Sequence, residues 1–168
     1  MSSSTSEIVS IENFLDKNFF EELKKFIIHP DFAWFKKESM VRDTTNNLGY
    51  FCHSFYYNNA ITCNSYLKYI IPILNKLTAK AVVEVRANLF PSVFFQKCDF
   101  HIDYNLNCKT AVLYLNTCDG GTEFKKYPDL FVKAEENKII IFDSTLDHRA
   151  VTSKDSNFRY VINFNYFI

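Results

Sequence analysis

The chain has 168 residues, 48% of them hydrophobic and 17% aromatic, a composition that is typical of one folded domain and excludes a chain that is disordered as a whole. The 19 basic and 19 acidic side chains leave no net charge, so nothing in the composition favours a nucleic-acid backbone as partner. The 5 cysteines form no CxxC pair, which argues against a disulfide framework or a cysteine zinc site and favours free thiols in a reducing cytoplasm.

The first residues are polar and lack the basic-then-apolar order of a signal peptide, and no apolar run approaches the roughly 20 residues of a membrane span. We therefore expect a frayed tail over 1–7 and a soluble, cytoplasmic protein without a membrane partner. From Glu7 onward apolar residues recur near the helical period. This pattern predicts a first helix over 16–28, capped by Asp16 and ended by Pro30.

The stretch 31–60 is rich in aromatic residues, and two interpretations of it stay open. It could form a lid or lip beside a substrate site, or it could pack the helices onto a sheet. A second helix is predicted over 64–77, and Pro72 within it predicts a kink or an early break.

From residue 80 onward the pattern changes to short segments rich in β-branched and aromatic residues, with turn signals between them. One of these signals, Gly120-Gly121, is interpreted as a hairpin turn that needs positive φ. The predicted strands cover 81–90, 109–116, 129–134, 138–143, 148–153 and 158–168.

Helices followed by a run of strands predict an α+β fold in which the helices pack on one sheet. Many short strands at regular spacing predict a sandwich or a barrel. We treat 1–168 as a single domain, with a helical support region over 1–80 and a β-core over 81–168 that carries the chemistry.

Four polar residues of the β-rich half stand out as candidates for chemistry: His101, Asp103, His148 and Arg159. Residues i and i+2 of a strand point to the same face, so His101 and Asp103 can reach one point. His148 begins a later strand, which can lie beside the first if the sheets curl into a barrel. Two imidazoles and one carboxylate on one face of a metal leave the opposite face open, which is the ligand set of non-haem Fe(II) oxygenases.

A series of motifs follows in one order: FHID at 100–103, TAVLYLN at 110–116, GGTEF at 120–124, IIIFD at 139–143, His148, and RYVINFNYF at 159–167. Together they resemble the Fe(II)/2-oxoglutarate oxygenases, and most of all their prolyl-hydroxylase-type branch. The resemblance covers about 81–168, whereas the N-terminal helices match only in general style. It implies a double-stranded β-helix, a jelly-roll or cupin-like barrel.

The resemblance also implies the role of each candidate residue. His101, Asp103 and His148 take the positions of the catalytic iron ligands. Arg159 takes the position of the basic residue that pairs with the distal carboxylate of 2-oxoglutarate, a role suited to the fixed fork of donors on arginine. Tyr114 matches a tyrosine whose hydroxyl contacts the same carboxylate.

Three further residues are implied near the co-substrate. Asn163 shares the strand face of Arg159 but stands where the prolyl-hydroxylase branch often carries a hydroxyl residue, which is a departure from the pattern. Asn88 matches a position where members of the family place Tyr or Asn. Thr110 shares the face of Tyr114 and completes the set of candidates.

The implied activity is a dioxygenase that uses Fe(II), O2 and 2-oxoglutarate, with ascorbate as a further candidate cofactor. It would hydroxylate a C–H bond and release succinate and CO2. Asp103 favours hydroxylation, because related halogenases lack this carboxylate. The first-choice substrate is a prolyl or other side chain of a protein or peptide, and the alternative is a free amino acid or small metabolite. Nucleic-acid demethylation of the AlkB type is disfavoured, since no second arginine follows Arg159.

Two alternatives from other classes stay open. One is a cupin-like module that binds iron and 2-oxoglutarate without turnover. The other is an inactive β-sandwich that serves as an interaction domain, which predicts that the three ligand side chains diverge in space. The remaining histidines and two of the cysteines are not expected to take part in the chemistry. His29 and His53 are interpreted as surface or half-buried residues, and Cys98 and Cys108 as thiols that do not bind metal.

Overall fold

A computed structural model describes residues 7–39, 49–92 and 96–168 of the protein. Within these ranges no helix has the length and apolar character needed to cross a membrane. The helical elements are α1 (Lys17–Ile27) and a π-helical turn (Tyr66–Ile70) that runs into α2 (Ile71–Lys76). The strands are β1 (Ile8–Ile11), β2 (Phe35–Lys37), β3 (Tyr50–Tyr57), β4 (Ala60–Ile61), β5 (Ala81–Pro91), β6 (Lys109–Tyr114), β7 (Gly121–Phe124), β8 (Tyr127–Lys133), β9 (Ile139–Asp143), β10 (His148–Val151) and β11 (Phe158–Phe167).

The first helix, α1, begins directly after its predicted cap, Asp16. Asp16 Oδ1 accepts the backbone N–H groups of Asn18 and Phe19 at 3.0 and 3.3 Å, which satisfies two donors that the helix leaves without partners. Leu23 and Ile27, one turn apart, are fully buried. The predicted helix over 16–28 is confirmed to within one residue at each end.

The second predicted helix changes its type at Pro72. Pro72 lies in the first turn of α2, where a missing N–H removes no helical hydrogen bond. The turn before it is π-helical, over Tyr66–Ile70. The break that Pro72 predicts is therefore confirmed, and it takes the form of a transition between two helix types.

The strands of the described residues form two sheets. The larger sheet has the order β1-β9-β6-β11-β5-β3-β2, with β4 added beside β3, and the smaller sheet has the order β10-β7-β8. Every pair of strands is antiparallel. This is the double-stranded β-helix that the motif order implies, and the α+β class is confirmed.

The core has two halves, one on each face of the larger sheet. On β6, Ala111 and Leu113 belong to the cluster that contains the helices. Val112 and Tyr114 alternate with them and belong to the cluster shared with the smaller sheet. Because both faces are covered, β6 is apolar at nearly every position, and the helices pack on one sheet as predicted.

The first 80 residues do more than support the core with helices. β1 pairs with β9, and β3 pairs with β5, so both extend the larger sheet. Residues 8–11, whose apolar residues the sequence groups with the helical periodicity from Glu7 onward, form a strand. Neither strand was predicted, because β1 has only four residues and β3 carries a bulge between Ser54 and Tyr56 that interrupts its alternation.

The aromatic residues of 31–60 that lie within the described ranges contribute to both halves of the core, and a lid role stays a prediction. Phe55 is fully buried in the cluster that contains the helices, and His53 is half-buried beside it. Tyr50 belongs to the other cluster and stacks on Phe90, with ring centroids 5.6 Å apart. Residues 40–48 lie outside the described residues.

Gly120-Gly121 is not the predicted positive-φ hairpin turn. No glycine of the described ranges has positive φ, and Gly121 opens strand β7, which the sequence reading missed. A Cβ on Gly121 would lie 2.2 Å from the carbonyl oxygen of Val132 on β8. The glycine is required because the two backbones approach each other closely, not because of its φ angle.

We expect Gly121→Ala to lower the free energy of unfolding by roughly 1–3 kcal/mol, because β7 and β8 must separate to admit the methyl group. Urea denaturation measures the change. Gly49→Ala is the matched control, since its Cβ would meet its nearest neighbour, the Lys37 oxygen, at an ordinary 3.6 Å. Equal stability of the two variants would contradict this explanation of Gly121.

Candidate active site

His101 and His148 face each other across a two-residue antiparallel bridge. The N–H of His101 donates to the His148 carbonyl at 3.0 Å, and the N–H of His148 donates back at 2.9 Å. A second bridge joins Lys97 to Val151, so the segment 97–101 runs beside β10 and extends the smaller sheet. Paired residues project their side chains to the same face, and the two rings lie 4.7 Å apart between centroids. The structure thus brings an early and a late histidine together, as the sequence predicts for a metal site.

The ligating atoms of the triad point at one another. Nε2 of His101 and Nε2 of His148 lie 3.8 and 3.7 Å from Asp103 Oδ1, and the three ligand atoms fall within 4.8 Å of one another. Each Nδ1 bonds a backbone carbonyl, that of Asp99 at 3.1 Å and that of Leu146 at 2.9 Å. Each Nδ1 therefore carries the hydrogen, and each Nε2 offers a lone pair to a shared metal. This convergence is the reverse of what an inactive sandwich predicts.

Three side chains hold the carboxylate of Asp103 in place. Its Oδ2 accepts hydrogen bonds from Thr110 Oγ1 at 3.1 Å, from Asn163 Nδ2 at 3.1 Å and from Asn165 Nδ2 at 2.9 Å. Its Oδ1 is left to face the imidazoles. The sequence reading missed Asn165, although the alternation of β11 places it on the same face as Asn163.

The local electrostatics favour the protonation states that a divalent metal binds. Burial opposes the ionisation of Asp103, but the nearby His148 and Arg86 outweigh it and lower its pKa to about 2. Burial, together with His148, lowers the pKa of His101 below its ordinary value. At neutral pH the triad therefore presents a carboxylate and a neutral imidazole at these positions, as metal binding requires.

A buried serine fixes the loop that follows Asp103. The N–H of Asp103 donates to the carbonyl of Ser144 at 3.2 Å. The hydroxyl of Ser144, which is fully buried, reaches the carbonyl oxygens of Tyr104 and Leu106 at 3.0 and 2.8 Å. These bonds orient the loop relative to the end of β9. No local pattern around Ser144 indicates this role in the sequence.

A cavity between the two sheets reaches from the triad to Arg159. We call it the inner cavity; its lining is Asn88, Phe90, His101, Asp103, Val112, Thr122, His148, Ala150, Arg159, Val161 and Asn163. Arg159 is 2% exposed, and its guanidinium lies over the ring of Phe90 at 4.5 Å from the centroid. Burial lowers the pKa of Arg159 below its ordinary value.

Arg159 has no anionic partner within the described part of the chain, and its Nε has no hydrogen-bond partner there. Asn88 Oδ1 and Asn163 Oδ1, which belong to residues of the same cavity, are also buried without partners. An unpaired buried cation is costly, since burial removes its hydration and nothing replaces it. The inner cavity therefore suits a bound anion that approaches both Arg159 and the triad.

The other two predicted co-substrate residues lie behind the wall of the inner cavity. Tyr114 is fully buried, burial raises its pKa to about 12, and its hydroxyl is 2.7 Å from Thr122 Oγ1. Thr122, which the sequence reading missed, lines the cavity. Thr110 bonds Asp103 and does not line the cavity. Direct contact of either residue with a co-substrate stays a prediction.

No protein-family model matches the chain, and no curated protein matches it significantly. Solved structures match its fold over nearly its full length. A prolyl hydroxylase from Trichoplax adhaerens, in complex with a peptide fragment of the hypoxia-inducible-factor oxygen degradation domain, is 17% identical, with 97% of this chain and 84% of that chain covered and a TM-score of 0.70.

Two bacterial structures also match the fold of this chain at low sequence identity. An oxidoreductase of the 2OG-Fe(II) oxygenase family from Burkholderia pseudomallei is 12% identical, with 97% and 86% of the two chains covered and a TM-score of 0.73. A prolyl-4-hydroxylase from Pseudomonas putida is 16% identical, with 98% and 95% covered and a TM-score of 0.64. At these identities the likeness concerns the fold, which is the one that the sequence motifs imply.

We expect Asn165→Ala to weaken the binding of a divalent metal by about 10- to 100-fold, because Asp103 loses one of the donors that orient it. Zn(II) titration against a competing chelator measures the affinity. Asn157→Ala, at an exposed position outside the site, is the matched control and should bind as the wild type does. An unchanged affinity in Asn165→Ala would remove Asn165 from the support of the metal centre.

Proposed function

We propose that the protein is an Fe(II)- and 2-oxoglutarate-dependent dioxygenase that hydroxylates a C–H bond and releases succinate and CO2. One observation carries the proposal. A buried arginine without an anionic partner and a triad of two imidazoles and one carboxylate share a single cavity. That donor set is the one that non-haem Fe(II) oxygenases use, and a guanidinium is the natural partner of a carboxylate.

The residues present fit both groups. His101, Asp103 and His148 would hold Fe(II), and Arg159 would hold the distal carboxylate of 2-oxoglutarate. When bound, iron and 2-oxoglutarate supply the oxidation of the C–H bond with O2, coupled to decarboxylation. Ascorbate stays a further candidate cofactor.

The protein's own groups supply position and electrostatics. Thr110, Asn163 and Asn165 hold Asp103 with one oxygen turned to the metal position. In the inner cavity, Asn88 offers its amide to a bound molecule, and Thr122 together with Tyr114 offers hydroxyl groups beside it. The apolar walls of the cavity exclude water and thereby strengthen the attraction between Arg159 and a carboxylate.

The finer proposals concern the substrate and the compartment. The similarity of fold to two prolyl hydroxylases supports a prolyl or other side chain of a protein or peptide as substrate. A free amino acid or small metabolite is the alternative. All 5 cysteines are free thiols, which supports a reducing, cytoplasmic location.

We expect the anaerobic protein to develop a weak visible charge-transfer band when Fe(II) and then 2-oxoglutarate are added, and to form succinate in air. Asp103→Ala should lose both, because one of the three metal ligands is removed. Asp129→Ala, on the exposed face of β8, is the control and should retain both. Undiminished succinate in Asp103→Ala would exclude the carboxylate from the ligand set, and a band without succinate would favour a binding module without turnover.

We expect Arg159→Ala to raise the 2-oxoglutarate concentration that is needed for half-maximal succinate formation by about 30-fold or more, since losing a buried charged partner costs about 2 kcal/mol or more. Arg149→Ala is the matched control, because Arg149 pairs with Glu123 and does not line the inner cavity. An unchanged requirement in Arg159→Ala would mean that another group anchors the co-substrate.

A further inference from the structure

A second cavity, of about 560 Å³, adjoins the candidate iron centre. It shares His101 and Asp103 with the inner cavity, and the rest of its described lining comes from β2 and Ser39 after it, from β3 and β5, and from the residues beside Asp103. We call it the outer cavity, and the residues that matter to its chemistry are Lys37, Tyr50, Glu84, Arg86 and Tyr104. A volume of this size suits a small molecule or one side chain of a peptide.

Arg86 lies on the strand next to the one that carries Asn163, which donates a hydrogen bond to the candidate iron ligand Asp103. On β5 it stands opposite Asn163 of β11 on one side and opposite Ser54 of β3 on the other. Its side chain is 23% exposed, and it lines the outer cavity. Asn163 donates to Asp103, so a group bound to Arg86 would sit close to the metal centre.

The guanidinium of Arg86 uses only part of its donor capacity. Nη1 donates to Glu84 at 3.2 and 3.4 Å, whereas the buried Nε has no partner and Nη2 bonds no described residue. Nε and Nη2 lie along one edge of the planar group, and such an edge matches the two oxygens of a carboxylate. Arg86 therefore keeps a bidentate edge that has no hydrogen-bond partner among the described residues, beside the site where the reaction would occur.

The charges of the outer cavity also favour an anion. Glu84 is already engaged, since it accepts from Arg86 and, at 2.9 Å, from the hydroxyl of Tyr104. Lys37, on β2, forms no ion pair with a described residue. Lys37, Arg86 and Glu84 together carry one net positive charge, and a bound metal would offset the charge of Asp103. A purely apolar substrate would leave these polar groups without partners, which is costly.

We propose that the substrate carries a carboxylate, which Arg86 binds through its Nε–Nη2 edge while the C–H bond to be hydroxylated lies at the triad. This inference rests on the proposed function for the reaction itself. The α-carboxylate of a free amino acid fits the volume of the cavity, and an acidic side chain of a peptide offers the same chemistry.

The test uses Zn(II)-loaded protein with saturating 2-oxoglutarate, which binds without turnover and occupies Arg159. Calorimetric titration compares the 20 free amino acids with their C-terminal amides, and also N-acetylated, C-amidated tripeptides that contain Asp or Glu with those that contain Asn or Gln. We expect at least one acid to bind about 10-fold or more tightly than its matched amide. Arg86→Gln should remove that difference.

Three further variants distinguish the loss of this contact from misfolding. Glu84→Gln frees Nη1 of Arg86 and should tighten acid binding, a change opposite to that of Arg86→Gln. Arg86→Lys keeps the charge but not the fork, so it should lose most of the preference for acids. Arg149→Gln, away from both cavities, should keep the wild-type preference.

Each outcome decides the inference. If a free amino acid binds more tightly than its amide and the difference depends on Arg86, the substrate is a small acid. If such a difference is found only among the tripeptides, the carboxylate belongs to a peptide side chain. Equal binding of acids and amides, binding of neither, or a preference that survives Arg86→Gln overturns the proposal. If wild-type protein fails to bind 2-oxoglutarate at all, the proposed function fails instead, and that titration is performed first.

Discussion

The pair of reciprocal backbone hydrogen bonds between His101 and His148 is the constraint on which the candidate site depends. These bonds place two residues that are distant in sequence directly opposite each other and turn both rings to one side. The Nδ1 bonds to Asp99 and Leu146 then decide which nitrogen faces the centre. Asp103 lies two residues after His101, so the bridge that places the two histidines also places Asp103 beside them.

β11 links that triad to the rest of the fold. Its even-numbered residues Ile162, Phe164 and Tyr166 are buried in the cluster that contains the helices. Three of its odd-numbered residues, Arg159, Asn163 and Asn165, are buried and polar and serve the site. Burying these groups has an energetic cost, which the paired strands on both sides and the apolar face of β11 offset. Polar side chains at buried positions that would otherwise be apolar are common at functional sites.

Two arginines on the inner face of the larger sheet have different electrostatic surroundings. Arg159 is enclosed, lacks an anionic partner within the described residues, and lies over an aromatic ring. Arg86 is partly exposed and shares its charge with Glu84. The stronger demand for an anion is therefore at Arg159, deep in the inner cavity. Arg86 lines the outer cavity, where its pairing with Glu84 makes its demand for an anion weaker.

The sequence by itself determined what depends on neighbours along the chain: the cap at Asp16, the break at Pro72, the alternation of β11, and the two-residue spacing of His101 and Asp103. Local geometry repeats every 2.0 or 3.6 residues, so these features can be read from spacing alone. Only the tertiary structure decided the pairing of β1 and β3, the close approach at Gly121, and the contacts of Ser144, Asn165 and Arg86. These depend on the register between distant strands, which no local period specifies, because short or bulged strands do not distinguish one pairing from another.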